Sequence, residues 1–185
     1  MRVTTGRAKG RQLKDVPGEG TRPVTDRVKQ ALFNILAGDV HASVWWDLFG
    51  GTGAIGIEAL SRGAAFVRFV ELNRLAIDTI KSNLERTGLA DQAEVRRGDA
   101  FTQLAAAPDR AFDYVYIAPP QFKEMWSRAL LLLDGNPGWL NAGACAVVQI
   151  HPREYLKLEL KNLVEFEERK YGSTLLVFYE KKSAD

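Results

Sequence analysis

The stretch Trp45–Leu60, WWDLFGGTGAIGIEAL, joins a strand-like run to a helical one through a loop rich in glycine. Glycines let a backbone turn sharply and approach a ligand closely, and the first amides of a helix are free to donate. Gly51, Gly53 and Gly56 also spell G-x-G-x-x-G, which is typical of dinucleotide oxidoreductases. The stretch therefore predicts a strand, a ligand-binding loop and a helix, and it leaves the class of ligand open.

Acidic residues accompany three successive predicted strands. Asp47 lies in the first strand, Glu71 ends the second, and Asp99 follows the third. The carboxyl ends of parallel strands meet at one edge of a sheet, so these groups are expected to lie together. Three carboxylates suit a ligand with a cation, a ribose and an adenine amine, whereas Asp47 would repel the pyrophosphate of NAD. S-adenosylmethionine (SAM) fits, with Asp47 near its amino-acid moiety, Glu71 on the ribose hydroxyls and Asp99 near the adenine amine. The predicted cofactor-binding set is Asp47, Phe49, Gly50, Gly51, Gly53, Glu71, Leu72, Asp99 and Ala100.

Strand-like and helical segments alternate through the middle of the chain, which is typical of a parallel sheet covered on both faces. The predicted strands span 44–49, 65–71, 93–98, 112–118 and 144–150, and the predicted helices span about 55–62, 75–87 and 122–133. Residues 163–182 read as two strands joined through Tyr171, Gly172 and Ser173, a hairpin at one edge. The sequence thus predicts a doubly wound α/β domain, in which Trp45 and Trp46 send one indole to each helical layer.

Positive charge is concentrated in residues 1–30, although the formal net charge of the chain is only +2. Residues 1–22 predict at most a short hairpin around Gly10–Val16, followed by an amphipathic helix that Thr25 or Asp26 caps and that ends near Gly38. We expect one structural domain overall, in which residues 1–38 form a basic N-terminal extension and helix that contact phosphates and residues 39–185 form the SAM-binding part.

Composition argues against several classes of protein and site. No apolar run approaches the roughly 20 residues that span a bilayer, and the N-terminus lacks the apolar stretch of a signal peptide, so a cytoplasmic protein is expected. Cys145 has no second cysteine with which to form a disulfide. His41 and His151 without further cysteines give no metal site, and no serine or cysteine triad is indicated.

Nearly the whole chain resembles the RsmD-type methyltransferases, which methylate the exocyclic N2 of a guanine in bacterial small-subunit (16S) rRNA. The resemblance is carried by residues 1–13, 21–36 (TRPVTDRVKQALFNIL), 47–64, 69–84, 98–101, 112–120 and 170–180. It implies a seven-stranded, mostly parallel Rossmann-like sheet with its last strand antiparallel. It also implies SAM as cofactor, small-subunit rRNA or an assembling subunit as partner, and no obligate protein partner. The implied phosphate contacts are Arg2, Arg7, Lys9, Arg11, Arg22 and Arg27.

The resemblance places the catalytic motif at the end of the fourth strand. In the family, Asp or Asn is followed by two prolines and then by Tyr or Phe; the polar side chain and a proline-turn carbonyl accept from the amine, and the ring stacks on the base. The corresponding residues here are Ala118, Pro119, Pro120, Gln121 and Phe122, so the polar side chain is missing and the ring comes one position late. Gln121 is the first candidate to replace that side chain, ahead of Glu124 and Asp99.

Three other functions stay open at this point. One is a SAM- and RNA-binding homologue with weak or lost catalysis, which the alanine at position 118 would suit. The second is a methyltransferase that acts on DNA or on a small molecule. The third, more distant, is a NAD oxidoreductase.

Overall fold

Seven strands form one sheet in the order β3-β2-β1-β4-β5-β7-β6. The computed structural model describes residues 1–18 and 24–183. The strands are β1 Val44–Asp47, β2 Phe66–Glu71, β3 Ala93–Arg97, β4 Phe112–Ile117, β5 Leu140–Ile150, β6 Leu163–Tyr171 and β7 Thr174–Lys181. Strands β1 to β5 pair in parallel, whereas β7 is antiparallel to both β5 and β6. The predicted α/β sheet with a C-terminal antiparallel hairpin is confirmed.

In the described part of the chain, five α-helices cover this sheet. They are α1 Asp26–Leu36, α2 Ala54–Ser61, α3 Arg74–Thr87, α4 Ala100–Ala105 and α5 Met125–Gly135. The sequence reading missed α4, a helix of six residues that Asp99 caps. It also began α5 at Phe122, which is wrong, because Phe122 and Glu124 adopt left-handed backbone angles that no α-helix accommodates. No helix among the described residues is long and apolar enough to cross a membrane.

The two indoles of β1 lie in different apolar layers, one on each face of the sheet. The first layer contains α1, α2 and α3, and the second contains α4 and α5. Trp45 packs with α1, α2 and α3 on one face, stacked on Tyr114 at 4.6 Å between ring centroids. Trp46 packs with α4 and α5 on the other face, stacked on Phe112 at 4.9 Å. The predicted division of the indoles is confirmed. Trp126 of α5 is buried in the same layer as Trp46 and is a core residue.

Residues 1–14, here called the N-terminal arm, are packed against the first layer. The arm folds back on itself, since the Val3 amide donates to the Arg11 carbonyl and the Gly10 amide to the Val3 carbonyl, at 3.0 and 2.8 Å. The hairpin therefore turns within residues 6–10, earlier than the sequence predicts. Val3, Ala8 and Leu13 are buried in the same cluster as Trp45. Arm and sheet thus share one core, and the functional division at residue 38 stays a prediction.

Helix α1 runs alongside α2 in the same direction. Lys29 of α1 pairs with Glu58 of α2 at 3.3 Å, and one turn later the Arg62 guanidinium lies 4.6 Å from the centre of the Phe33 ring. Since α2 starts just beyond the carboxyl end of β1, the start of α1 faces that same edge of the sheet. The turn of the arm lies at the opposite edge, because the Arg7 amide donates to the carbonyl of Ser61, the last residue of α2, at 2.8 Å.

Two glycines of the arm offer a matched test of this docking. Gly6 and Gly10 have φ angles of +86° and +83°, but a Cβ on Gly6 would lie 1.8 Å from the Ser61 carbonyl oxygen, whereas a Cβ on Gly10 would meet nothing within 4 Å. Both alanine variants bear the left-handed strain of about 1 kcal/mol, and Gly6→Ala must also displace the arm. We expect Gly6→Ala to lower the free energy of unfolding, measured in urea, by about 2 kcal/mol more than Gly10→Ala does. Equal losses would show that the arm is not docked in this way.

Candidate active site

The predicted acidic residues meet at the carboxyl edge of the sheet. Asp47 ends β1 and is in register with Phe69 of β2 on one side and Tyr116 of β4 on the other. Glu71 ends β2, and Asp99 follows β3 as the cap of α4. The strand order reverses between β1 and β4, and in doubly wound sheets the crevice at such a switch point binds the ligand.

Asp47 is buried without a partner. Asp47 is 2% exposed, and neither of its carboxylate oxygens has a hydrogen-bond partner among the described residues. Burial, and next the charge of Glu71, raise the pKa of Asp47 to about 8. The Gly56 and Phe49 amides lower that pKa in part, although neither makes a hydrogen bond of normal geometry. A buried carboxyl group that lacks partners is costly, so Asp47 is suited to a ligand that brings a positive charge or N–H donors.

Glu71 shapes the glycine loop. One carboxylate oxygen accepts from the Gly51 amide at 2.9 Å, and the other accepts from the Leu72 and Asn73 amides at 2.8 and 2.9 Å. A carboxylate offers about four acceptor positions, so about one is left for a ligand hydroxyl. Glu71 therefore holds the loop against β2 and keeps room for one strong contact.

The glycine loop turns tightly between β1 and α2. The Gly53 amide donates to the Gly50 carbonyl at 2.7 Å, and Gly53 has a φ of +80° immediately before the first residue of α2. Asn83 of α3, fully buried, donates from its side-chain amide to the Thr52 carbonyl at 2.9 Å and to the Lys14 carbonyl at 3.0 Å. Asn83 thus ties this loop to the end of the N-terminal arm, a role that the sequence reading missed because both contacts are long-range.

Asp99 and Phe49 border the third part of the site. One oxygen of Asp99 accepts from the Thr102 amide at 2.9 Å, which leaves its second oxygen for a ligand amine. Phe49 meets Phe101 of α4 edge-on at 6.1 Å, and Ala100 is buried in the same apolar layer. Leu72, by contrast, is 62% exposed at the rim. The cofactor-binding role of this predicted set, including the assignment of Asp99 to the adenine side, stays a prediction.

The proline motif follows β4, beside Asp47. Ala118 packs against the first layer, Pro119 is buried, and Pro120 is exposed. Phe122 is 63% exposed, and its ring lies 5.2 Å from that of His151, which caps the turn after β5. Gln121 is half-buried, with no side-chain hydrogen bond in the described part of the chain.

The structure adds Glu154 to the motif. The Phe122 amide donates to the Glu154 carboxylate at 2.7 Å. Sequence reasoning missed Glu154 because it is 32 residues from Phe122 and ordinary in its local context.

The candidate phosphate contacts divide into two groups. Arg2 and Arg27 lie at the start of α1, at the edge that holds the site, and Arg2 pairs there with Asp26 at 3.3 Å. Arg7 and Lys9 are exposed on the turn of the arm, where Arg7 also contacts the side chain of Gln92 at the far edge of the sheet. Arg11 is exposed on the returning strand of the arm, and Arg22 lies outside the described residues.

Comparison with known proteins agrees with this architecture. Residues 1–180 match the family model described as "Conserved hypothetical protein 95". YlbH of Bacillus subtilis is 40% identical over 98% of this chain and 100% of its own length. The "Ribosomal RNA small subunit methyltransferase D" of Escherichia coli K12 is 31% identical over 99% of this chain and 91% of its own length. The solved structure of yhhF from Escherichia coli superposes with a TM-score of 0.88 at 31% identity, covering 98% of both chains. The match over nearly the full length and these identities confirm the resemblance, and the chain belongs to this family, the RsmD-type methyltransferases.

Proposed function

We propose that this chain transfers a methyl group from SAM to the exocyclic N2 of a guanine in small-subunit (16S) rRNA. The observation that carries the proposal is the buried carboxyl group of Asp47, which has no hydrogen-bond partner among the described residues and lies between a glycine loop and a proline motif with an exposed ring. The name of the Escherichia coli relative, a methyltransferase of small-subunit rRNA, supports the substrate class.

The residues of the site fit SAM. Asp47 would face the ammonium group of its amino-acid moiety, Glu71 would accept from a ribose hydroxyl, and Asp99 would accept from the adenine amine. When bound, SAM supplies a methyl group already activated on a sulfonium. The protein is then left with the work of binding, orienting and excluding water.

The motif orients the amine that is to be methylated. A guanine N2 lone pair is delocalised into the ring, so acceptors must hold the two N–H bonds while the base stacks with that lone pair toward the methyl group. The carbonyls of Ala118 and Pro119 are the acceptors that the backbone offers, and Phe122 offers the stacking face. The base must reach this face unpaired or flipped out of its helix.

Methyl transfer from labelled SAM to small subunits that lack the modification tests the proposal. We expect label in 16S rRNA, which mass spectrometry locates on one guanine N2. Label on another base or atom would correct the substrate, and no label on any RNA would contradict the activity.

The alanine at position 118 favours a second candidate, a SAM- and RNA-binding homologue without catalysis. Loss of one positioned catalytic group typically lowers a rate by about 10²- to 10³-fold. Calorimetry alongside the transfer assay separates the two functions: SAM binding with no transfer would favour the second.

Gln121 is the side chain that we expect to replace the missing polar group. Its amide oxygen would accept one N–H of the amine in place of the family's Asp or Asn. Since a single hydrogen bond contributes about 1 kcal/mol, Gln121→Ala should lower kcat roughly fivefold and leave the SAM affinity unchanged. Glu85→Ala, at an exposed position of α3, serves as control. Full activity in Gln121→Ala would mean that the backbone carbonyls suffice.

A further inference from the structure

Phe122 combines exposure with an unfavourable backbone conformation. Its ring is 63% exposed, and its φ is +59°. A bulky residue rarely adopts such a φ, and where one does, the surrounding structure must hold it there. Glu124, two positions on, has a φ of +53°, so this short connection to α5 is constrained at two points.

Glu154 is the group that holds Phe122. One oxygen of its carboxylate accepts from the Phe122 amide at 2.7 Å, and the other accepts from the His151 amide at 3.0 Å. Hydrogen bonds to an ionised acceptor are about twice as strong as neutral ones. Glu154 thereby joins the connection after β4 to the turn after β5, two segments that the sheet alone would leave independent.

His151 supports the same ring from the side. Its ring centroid lies 5.2 Å from that of Phe122, with the planes tilted by 44°. The ring of His151 is itself fixed, because its Nδ1 accepts from the Arg153 amide at 3.1 Å. Phe122 therefore has an ordered neighbour on one side and an open face elsewhere.

We propose that Glu154 is the positioning residue that holds Phe122 as the stacking face for the target base. The proposal rests on the proposed function, because it assigns Phe122 to the base. Glu154 acts through Phe122: its carboxylate selects the left-handed backbone that turns the ring outward. The left-handed backbone at Phe122 also explains why the ring comes one position later than in the family's motif. The chain accommodates the extra residue through this conformation, which Glu154 stabilises.

A double-mutant cycle tests the proposal in kcat/KM for unmodified small subunits. Base stacking contributes enough that Phe122→Ala should lower kcat/KM by roughly 10- to 100-fold. Glu154→Ala should lower it by about tenfold, and the double variant should be no worse than Phe122→Ala alone. Glu154→Gln keeps one acceptor for the Phe122 amide and should lie between wild type and Glu154→Ala. The SAM affinity should be the same in all of them, and Glu159→Ala, an exposed carboxylate further along the same segment, should match wild type.

Two outcomes would overturn the proposal. One is a decrease of kcat/KM in the double variant that equals the product of the two single decreases, because residues that act independently give multiplicative decreases. The other is wild-type kcat/KM in Glu154→Ala. Thermal melting shows whether each variant is folded, and Glu154→Gln replaces Glu154→Ala if the latter is not. If the wild-type protein transfers no methyl group, the proposed function fails separately, and the same cycle is then measured in the dissociation constant for the small subunit.

Discussion

At about pH 8.5, replacing Asp47 by asparagine should weaken SAM binding on the order of 100-fold or more. The carboxylate is 2% exposed and has no partner within the described residues, so a cationic ligand would meet a charge that nothing else neutralises. Truncating one partner of such a desolvated pair typically costs about 2–5 kcal/mol. Isothermal calorimetry of the two proteins measures the difference.

The loss of SAM affinity in Asp47→Asn should be larger at high pH than at low pH. Because burial and Glu71 raise the pKa of Asp47 to about 8, the group is protonated below that pH, and binding a cation requires release of the proton. SAM affinity of the wild-type protein should therefore rise about tenfold per pH unit up to about pH 8 and then level off. Titration of the ligand itself is common to both proteins and cancels in the ratio of wild type to Asp47→Asn.

The stability of the ligand-free protein should change with pH in the opposite sense. The folded pKa of Asp47 lies above its unfolded value of 3.8, so folding opposes ionisation. The ionisation of Asp47 therefore does not change the free energy of unfolding below about pH 4, lowers it increasingly as the pH rises, and lowers it by a constant amount above about pH 8. Urea unfolding should thus show a wild-type stability that falls relative to Asp47→Asn across this window. Asp91→Asn, an exposed acid at the far edge of the sheet, is the control.

A ratio of wild-type to Asp47→Asn SAM affinity that does not change with pH would exclude a protonated Asp47.

The fold was predictable where local pattern and topology coincide. Alternation of apolar strands and amphipathic helices predicted a parallel sheet, and parallel strands necessarily bring Asp47, Glu71 and Asp99 to one edge. Two apolar indoles in succession predicted a strand buried on both faces, as Trp45 and Trp46 show. Such inferences need only periodicity and the direction of the chain.

What escaped prediction depends on contacts between distant segments. The start of α5 is displaced because Glu154 stabilises a left-handed Phe122, and nothing near Phe122 in the sequence indicates this. In the sequence, Lys29 is one of the positive charges of the basic segment 1–30, yet in the structure its side chain is fully buried. Likewise, Glu58 in the apolar run of α2 looks like a solvated residue until the N-terminal arm is docked on it. Long-range partners of this kind become visible only in three dimensions.

Glu58 is the group on which the docking of the arm depends. Its carboxylate is fully buried and accepts from the Thr4 amide at 2.9 Å, the Thr4 hydroxyl at 2.6 Å and the Thr5 amide at 3.1 Å. It also pairs with Arg62 at 3.0 Å and with the buried Lys29 at 3.3 Å. Glu58 therefore satisfies several donors at once, whereas Lys29 contributes a single ammonium group, which also donates to the Arg2 carbonyl.

We expect Glu58→Ala to lower the free energy of unfolding by about 3–5 kcal/mol, because it removes the carboxylate that neutralises the buried Lys29 ammonium and the acceptor of two part-buried amides. Lys29→Met should cost clearly less, since Glu58 keeps Arg62 and the threonine donors and the replacement fills the same space. Urea denaturation measures both. Glu167→Ala, which breaks the exposed pair with Arg169 on β6, is the control and should change stability by about 1 kcal/mol at most. Equal losses in Glu58→Ala and Lys29→Met would mean that the ion pair alone, and not the docking of the arm, accounts for the stabilisation. The asymmetry arises because the acid accepts three hydrogen bonds from the arm, whereas the lysine donates one to it.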